Sequence, residues 1–151
     1  MPEYREKLWP SPWLFIIIAL VIPASLLVFL PISLLVGVLT AAGLYLGSAA
    51  LLVLASPTVR VSGGVLTAGR ATIETTLLGD AVPFEGAEAT LERGQRLDAR
   101  AWLLLRGWVP HVVRIPLEDP TDPAPYWLIS SRTPQKMAAA INGSRRPASS
   151  N

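Results

Sequence analysis

The sequence contains no cysteine, which excludes a disulfide framework and every thiolate-ligated metal site. A single histidine, His111, rules out a multi-histidine metal centre. No G-x-S-x-G, no P-loop and no G-x-G-x-x-G is present, so the nucleophile elbow, the phosphate loop and the dinucleotide fingerprint are all missing. The longest absence is of charge: no Asp, Glu, Lys, Arg or His occurs between Lys7 and Arg60. The net charge is only +2 and the arginines form no run, a pattern that argues against a nucleic-acid partner.

The uncharged stretch divides at Pro31 into "WLFIIIALVIPASLLVFL", residues 13–30, and "ISLLVGVLTAAGLYLGSAALLVLA", residues 32–55. Each is close to the roughly 20 apolar residues that cross a hydrocarbon core. One continuous helix would run roughly 65 Å at about 1.5 Å per residue, twice the core thickness, so the stretch predicts a helical hairpin over 13–56, with its partner the lipid bilayer. Pro31 disfavours helix at Leu30 and places the turn at Leu30 to Ser33, while Pro23 predicts a kink in the first helix. A re-entrant hairpin on one face is the alternative. A cleaved signal peptide fits poorly, because its apolar core runs only about 7 to 15 residues. Arg5, Lys7, Arg60 and Arg70 all flank the hairpin and none lies in its turn, so the positive-inside rule predicts a multi-pass protein of the cell membrane with both termini cytoplasmic.

Residues 1–12 are expected to form an interfacial segment in which Tyr4, Trp9 and Trp13 sit at the headgroup boundary. A contact of Arg5 or Glu6 with the later domain is the alternative. Gly43 and Gly47 form a small-xxx-small pair, expected to pack against the first helix or, in the other reading, to join two copies.

Beyond Pro57 the pattern shortens. "TVRVSGGVLTAG" predicts a hairpin about Ser-Gly-Gly, "RATIETTLLGDAV" a strand with a turn at Gly79-Asp80, and "LDARAWLLLRGW" and "HVVRIPL" further strands, the last with Val113, Ile115 and Leu117 opposite Arg114. "RTPQKMAAAIN" predicts a short helix capped by Thr133, with Pro134 in its first turn, Met137 and Ile141 on one face, and a stop at Gly143. Residues 143–151 are expected to be a disordered tail. The fold class is therefore α+β: a transmembrane hairpin, then a small antiparallel β domain over 57–142 with a C-terminal helix. A sheet of about five to seven antiparallel strands closed by one helix is the general plan of pleckstrin-homology-like domains.

The chemistry-bearing stretch is "DPTDPAPYWLISSRTPQKM". Asp119-Pro120 and Asp122-Pro123 are turn-forming pairs, and "YWLIS" is an apolar strand. Alternation puts Tyr126, Ser130 and Arg132 on one side, where with Trp127 they make a candidate recognition surface for a phosphate or carboxylate; in the competing reading Arg132 pairs with Asp119 or Asp122 to fix the turn. Glu118, Asp119 and Asp122 lack the spacing of a calcium loop, so no metal is expected. His111 has no nucleophile near it in sequence and reads as structural. Trp102 and Trp108, with Arg100 and Arg106 nearby, read as packing or interface residues.

With the opening "YREKLWPSPW", two apolar segments and the late "DPTDPAPYWLISSRTP", the chain resembles an actinobacterial membrane-protein family, the domain of unknown function 3093, from Tyr4 to Asn142. The resemblance implies no reaction, cofactor or catalytic residue. A more distant likeness is to bacterial pleckstrin-homology-like membrane proteins. The expectation is a non-enzymatic, membrane-tethered domain that binds a membrane-associated protein partner or self-associates; the alternatives are a lipid- or anion-binding module at the inner leaflet and an enzyme with an unrecognised site.

Overall fold

The computed structural model describes residues 3–145, which divide into two units, Trp9–Ser56 and a second that joins the residues up to Leu8 to those from Pro57 onward.

In the helical unit, α1 (Pro12–Ala19) and α2 (Val21–Phe29) lead to α3 (Leu34–Leu54). The interruption at Leu20 has its cause in Pro23, which has no N–H for the carbonyl of Ala19 and crowds it with its ring. Pro12–Phe29 and Leu34–Leu54, 18 and 21 residues, are long and apolar enough to cross a membrane. The turn falls at Leu30 to Ser33 as the sequence predicts, with the N–H groups of Ile32 and Ser33 both donating to the Phe29 carbonyl at 2.9 and 2.8 Å. Ser33 caps α3, its Oγ accepting from the Val36 N–H at 3.4 Å.

Gly37 and Ala41 are buried, and a Cβ on Gly37 would lie 3.4 Å from Leu26 Cδ2 and 3.5 Å from Phe29 Cβ. Gly43 and Gly47 would meet nothing within 4 Å. The expectation that these two seat the first helix is thus corrected. At about 100° per residue, Gly43 is turned well away from the face that carries Gly37 and Ala41.

The β-rich unit holds two four-stranded sheets. In the first, β1 (Tyr4–Lys7), β2 (Thr58–Ser62), β3 (Val65–Ala68) and β4 (Ala71–Glu74) are antiparallel neighbours in chain order. The turn between β2 and β3 is Gly63-Gly64, with φ of +59° and +76°, the left-handed pair a two-residue hairpin turn demands. In the second sheet β5 (Val82–Phe84), β6 (Trp102–Leu104), β7 (Val112–Pro116) and β8 (Tyr126–Ser130) stand in the order β5-β7-β8-β6, and β6 runs parallel to β8. Helix α4 (Gly86–Arg93) follows β5, and α5 (Pro134–Arg145) ends the described chain.

Four sequence expectations change. Residues 4–8 belong to the β-rich unit instead of forming a separate interfacial segment, because Tyr4, Glu6 and Leu8 alternate with Arg5 and Lys7 as an amphipathic strand does. The sheet is neither single nor wholly antiparallel, since β6 takes the far side of β8. Only Trp102 to Leu104 of "LDARAWLLLRGW" is strand. Helix α5 continues past Gly143 to Arg145; one glycine costs a helix only about 1 kcal/mol, and here the Asn142 amide is tied to Ala81 N and O at 2.8 and 3.1 Å while Arg145 pairs with Asp80 at 2.5 Å. The rest of the expected tail, 146–151, lies outside the described residues.

The main core lies between the sheets and α5. Val59, Val61 and Leu66 from the first sheet meet Val113, Ile115 and Ile129 from the second, with Met137 and Ile141 of α5 and Leu8. The other face of the second sheet is covered by Ala89 of α4 against Val112 and Leu128. Strand β8 is therefore buried on both faces, which is why "YWLIS" reads as a continuous apolar run instead of alternating.

Candidate functional site

Tyr4 and Glu6 point from β1 toward the end of β8 and the start of α5. The Glu6 carboxylate accepts three hydrogen bonds: from the Tyr4 hydroxyl at 2.6 Å, from Ser131 Oγ at 2.6 Å and from the Arg132 N–H at 2.7 Å. Thr133 Oγ1 lies 2.6 Å from the Tyr4 hydroxyl, and the Thr133 N–H donates to Ser131 Oγ at 3.1 Å. Burial, and next the bond to Glu6, push the Tyr4 phenol up to about 12. The network ties the first strand to the strand-to-helix junction of β8 and α5. The contact of Glu6 with the later domain, the alternative the sequence offered, thus forms; its partners Ser131 and the Arg132 N–H were not foreseen, and the signal was the lone acid of "YREKL" on the apolar side of a two-residue alternation.

The candidate recognition residues are spread over the length of β8. The Tyr126 hydroxyl accepts from the Asp98 N–H at 2.9 Å and donates to the Arg96 carbonyl at 3.4 Å, holding the loop after α4. Ser130 is fully buried and its Oγ accepts from the Arg106 N–H at 3.0 Å. Trp127 faces the core, 4.4 Å between centroids from Trp102 on the parallel neighbour β6. Arg132 lies past the strand with its side chain exposed. Tyr126 and Ser130 do share a face, but their hydroxyls serve different loops. Asp119 Oδ1 accepts from the Thr121 N–H and Oγ1 at 2.9 and 2.7 Å, which lower its pKa, the hydroxyl contributing most, and Asp122 Oδ1 accepts from the Ala124 N–H at 2.9 Å. Both aspartates close tight turns.

A second polar cluster sits under α4. Glu92 is 1% exposed, and its carboxylate meets Arg114 at 3.4 Å and Arg96 at 3.6 Å. The Arg114 guanidinium also lies over the rings of Phe84 and Tyr126, 5.4 and 5.8 Å from their centroids. Arg96 is held more closely by Glu88, at 2.7 Å, which raises its pKa. Helix α4 was not predicted; its run "GAEATLER" is rich in the helix formers Ala, Glu and Leu, and that is the signal that could have found it.

Elsewhere, Trp108 Nε1 donates to the Leu8 carbonyl at 3.1 Å, and Trp9 and Trp13 of the helical unit are half exposed. The backbone carbonyl of His111 accepts from the Ser131 N–H at 2.9 Å, while its buried Nδ1 has no hydrogen-bond partner among the described residues. Among those residues no three His, Asp or Glu side chains are grouped to hold a metal ion.

A family model described as "Protein of unknown function (DUF3093)" matches residues 3–141. No curated protein and no solved structure matches the chain. The chain belongs to that family.

Proposed function

We propose that this member of a family of unknown function is a membrane-tethered, non-enzymatic module, its apolar hairpin crossing a bilayer twice and holding the β-rich unit at the cytoplasmic face. There the unit, pleckstrin-homology-like in its general plan of sheets and terminal helix, binds a membrane-associated protein or a second copy. The observation that carries the reading is the pairing of β1 with β2: Lys7 stands opposite Thr58 and the Leu8 N–H donates to the Pro57 carbonyl at 2.9 Å. The apolar hairpin thus leaves and rejoins one sheet at adjacent points, which suits an insertion that enters and exits a bilayer by one side.

The non-enzymatic part of the reading rests on the placing of two residues that could otherwise carry chemistry. Among the described residues the buried Nδ1 of His111 has no hydrogen-bonded carboxylate or hydroxyl of the kind that orients a general base. Ser131, which does touch a carboxylate, is fully buried and shares Glu6 with Tyr4 and a backbone N–H.

The test combines sedimentation with capture. The full chain is expected to pellet with membranes until detergent is added, reporters at both termini are expected to label the cytoplasmic side, and capture in mild detergent is expected to retain a defined protein or a second copy that Arg132→Glu releases. Termini on opposite faces, or a chain that stays in the supernatant without detergent, overturn the reading.

A further inference from the structure

The outer face of the first sheet carries a charge arrangement that folding alone does not explain. Alternate residues of its strands point inward, where Val59, Val61, Leu66 and Ala68 are fully buried. On the outward side Arg5 stands directly opposite Arg60, and Arg60 opposite Thr67. Like charges paired across strands destabilise a sheet. Both arginines are exposed, and among the described residues no ion pair or side-chain hydrogen bond holds either guanidinium.

Lys7 is the next outward residue of β1, and Arg70 follows Gly69, whose N–H donates to the Thr58 carbonyl opposite Lys7. The pairing of β1 with β2 thereby gathers Arg5, Lys7, Arg60 and Arg70 toward one end of one sheet. The acids collect at the other end, where Glu74 stands opposite Val65 and Glu3 accepts from Ser62 Oγ at 3.2 Å. A cavity of about 340 Å³ lined by Glu3, Tyr4, Arg5, Arg60 and Val61 opens beside the arginine pair. The basic end is also the end at which the chain departs for the apolar hairpin and returns, since β1 closes at Lys7, α1 opens at Pro12, α3 closes at Leu54 and β2 opens at Thr58.

We propose that Arg5 and Arg60 form a site for the phosphate group of an anionic phospholipid headgroup, a proposal that rests on the membrane reading above. Each guanidinium offers a planar fork of donors that matches phosphate oxygens, and an anion between them cancels the repulsion the empty pair suffers. Lys7 and Arg70 add positive field over the same end. Glu3 stands at the acidic rim of the cavity, where its carboxylate opposes an anion and confines it to the arginine side.

The full chain, purified in mild detergent, is titrated with phosphatidylglycerol or phosphatidylcholine, and the lipid retained per chain is counted by native mass spectrometry. Phosphatidylglycerol is expected to be held in preference. Arg5→Gln and Arg60→Gln are each expected to weaken it by roughly five-fold, and the double variant by about twenty-five-fold. The charge-matched pair Arg100→Gln and Lys136→Gln, both exposed and outside the first sheet, is expected to leave it unchanged. The lipid-free double variant is expected to melt no lower than the native chain, because a repulsion is removed. Equal retention of the two lipids, or an equal loss in the charge-matched pair, overturns the site. A chain that sediments with membranes and yet shows no lipid preference defeats this proposal alone, whereas one that never sediments defeats the membrane reading beneath it.

Discussion

Lys7 stands directly opposite Thr58 in the first sheet, with the entire apolar hairpin between them in sequence. The next residue, Leu8, is fully buried in the main core. Leu8→Ala is expected to cost the β-rich unit about 2–5 kcal/mol, although the residue precedes the hairpin. Hydrogen exchange at Val59 and Val61 checks it: faster exchange is expected, and unchanged protection would show that β1 contributes little to this sheet.

Tyr4→Phe removes the hydroxyl that joins Glu6 to Thr133, at an expected cost of about 1–3 kcal/mol in a thermal melt. The same variant has a pH signature. Below about pH 10 the phenol is protonated in both folded and unfolded chains, and its full contribution is present. Between 10.0, the ordinary value, and about 12 the unfolded chain releases the proton while the folded chain keeps it, so stability falls as pH rises. A shallower decline over this window is expected for Tyr4→Phe.

Glu92 and Arg114 are unequally placed, the acid at 2% and the base at 38% side-chain exposure. Removing the base leaves a buried carboxylate with only Arg96, 3.6 Å away and held more closely by Glu88, whereas removing the acid's charge leaves a guanidinium that water can reach. Arg114→Met is therefore expected to destabilise by about 3 kcal/mol and Glu92→Gln by about 1 kcal/mol. Chemical denaturation of both variants in one detergent measures the order, and the reverse order would refute the assignment.

Gly79 lies against β7. Its N–H donates to the Pro116 carbonyl at 2.7 Å, and a Cβ there would sit 2.9 Å from Pro116 Cβ. Gly79→Ala is expected to destabilise by about 1–3 kcal/mol, read as a lower melting temperature. Gly63→Asn, at a left-handed turn position that Asn accepts, is the tolerated control.

In the helical unit Gly37 faces Leu26 and Phe29 while Gly43 faces open space. Gly37→Leu is expected to lower the melting temperature in detergent, and Gly43→Leu to leave that of the isolated chain unchanged. A loss of self-association on Gly43→Leu, seen by crosslinking in membranes, would mark that face as a contact between copies.

Much of the plan was legible because strong local signals and tertiary structure agree. The apolar runs, Pro31, Gly63-Gly64 and the Thr133-Pro134 start each predict one element, and each forms. What failed to show was long-range. Tyr4 to Lys7 offers only four residues of alternation, and its partner strand lies beyond the hairpin. Strand β6 was overextended because the alternation of "LDARAWLLLRGW" continues past the three residues that β8 pairs. Tyr126, Ser130 and Arg132 carry suggestive chemistry, but sequence spacing does not reveal that Asp98 and Arg106 supply the donors to two of those hydroxyls.

The bond between Tyr4 and Thr133 joins β1 to the start of α5 across 129 positions of chain. During synthesis β1 finds its strand partner β2 as soon as the apolar hairpin has been made, but Tyr4 and Glu6 wait for Ser131 and Thr133 until the whole β-rich segment has emerged. Completion of that network thus reports that the segment has been made as far as α5, and a chain halted before it leaves the Tyr4 hydroxyl and the Glu6 carboxylate unsatisfied and β1 more open to surveillance by chaperones and proteases.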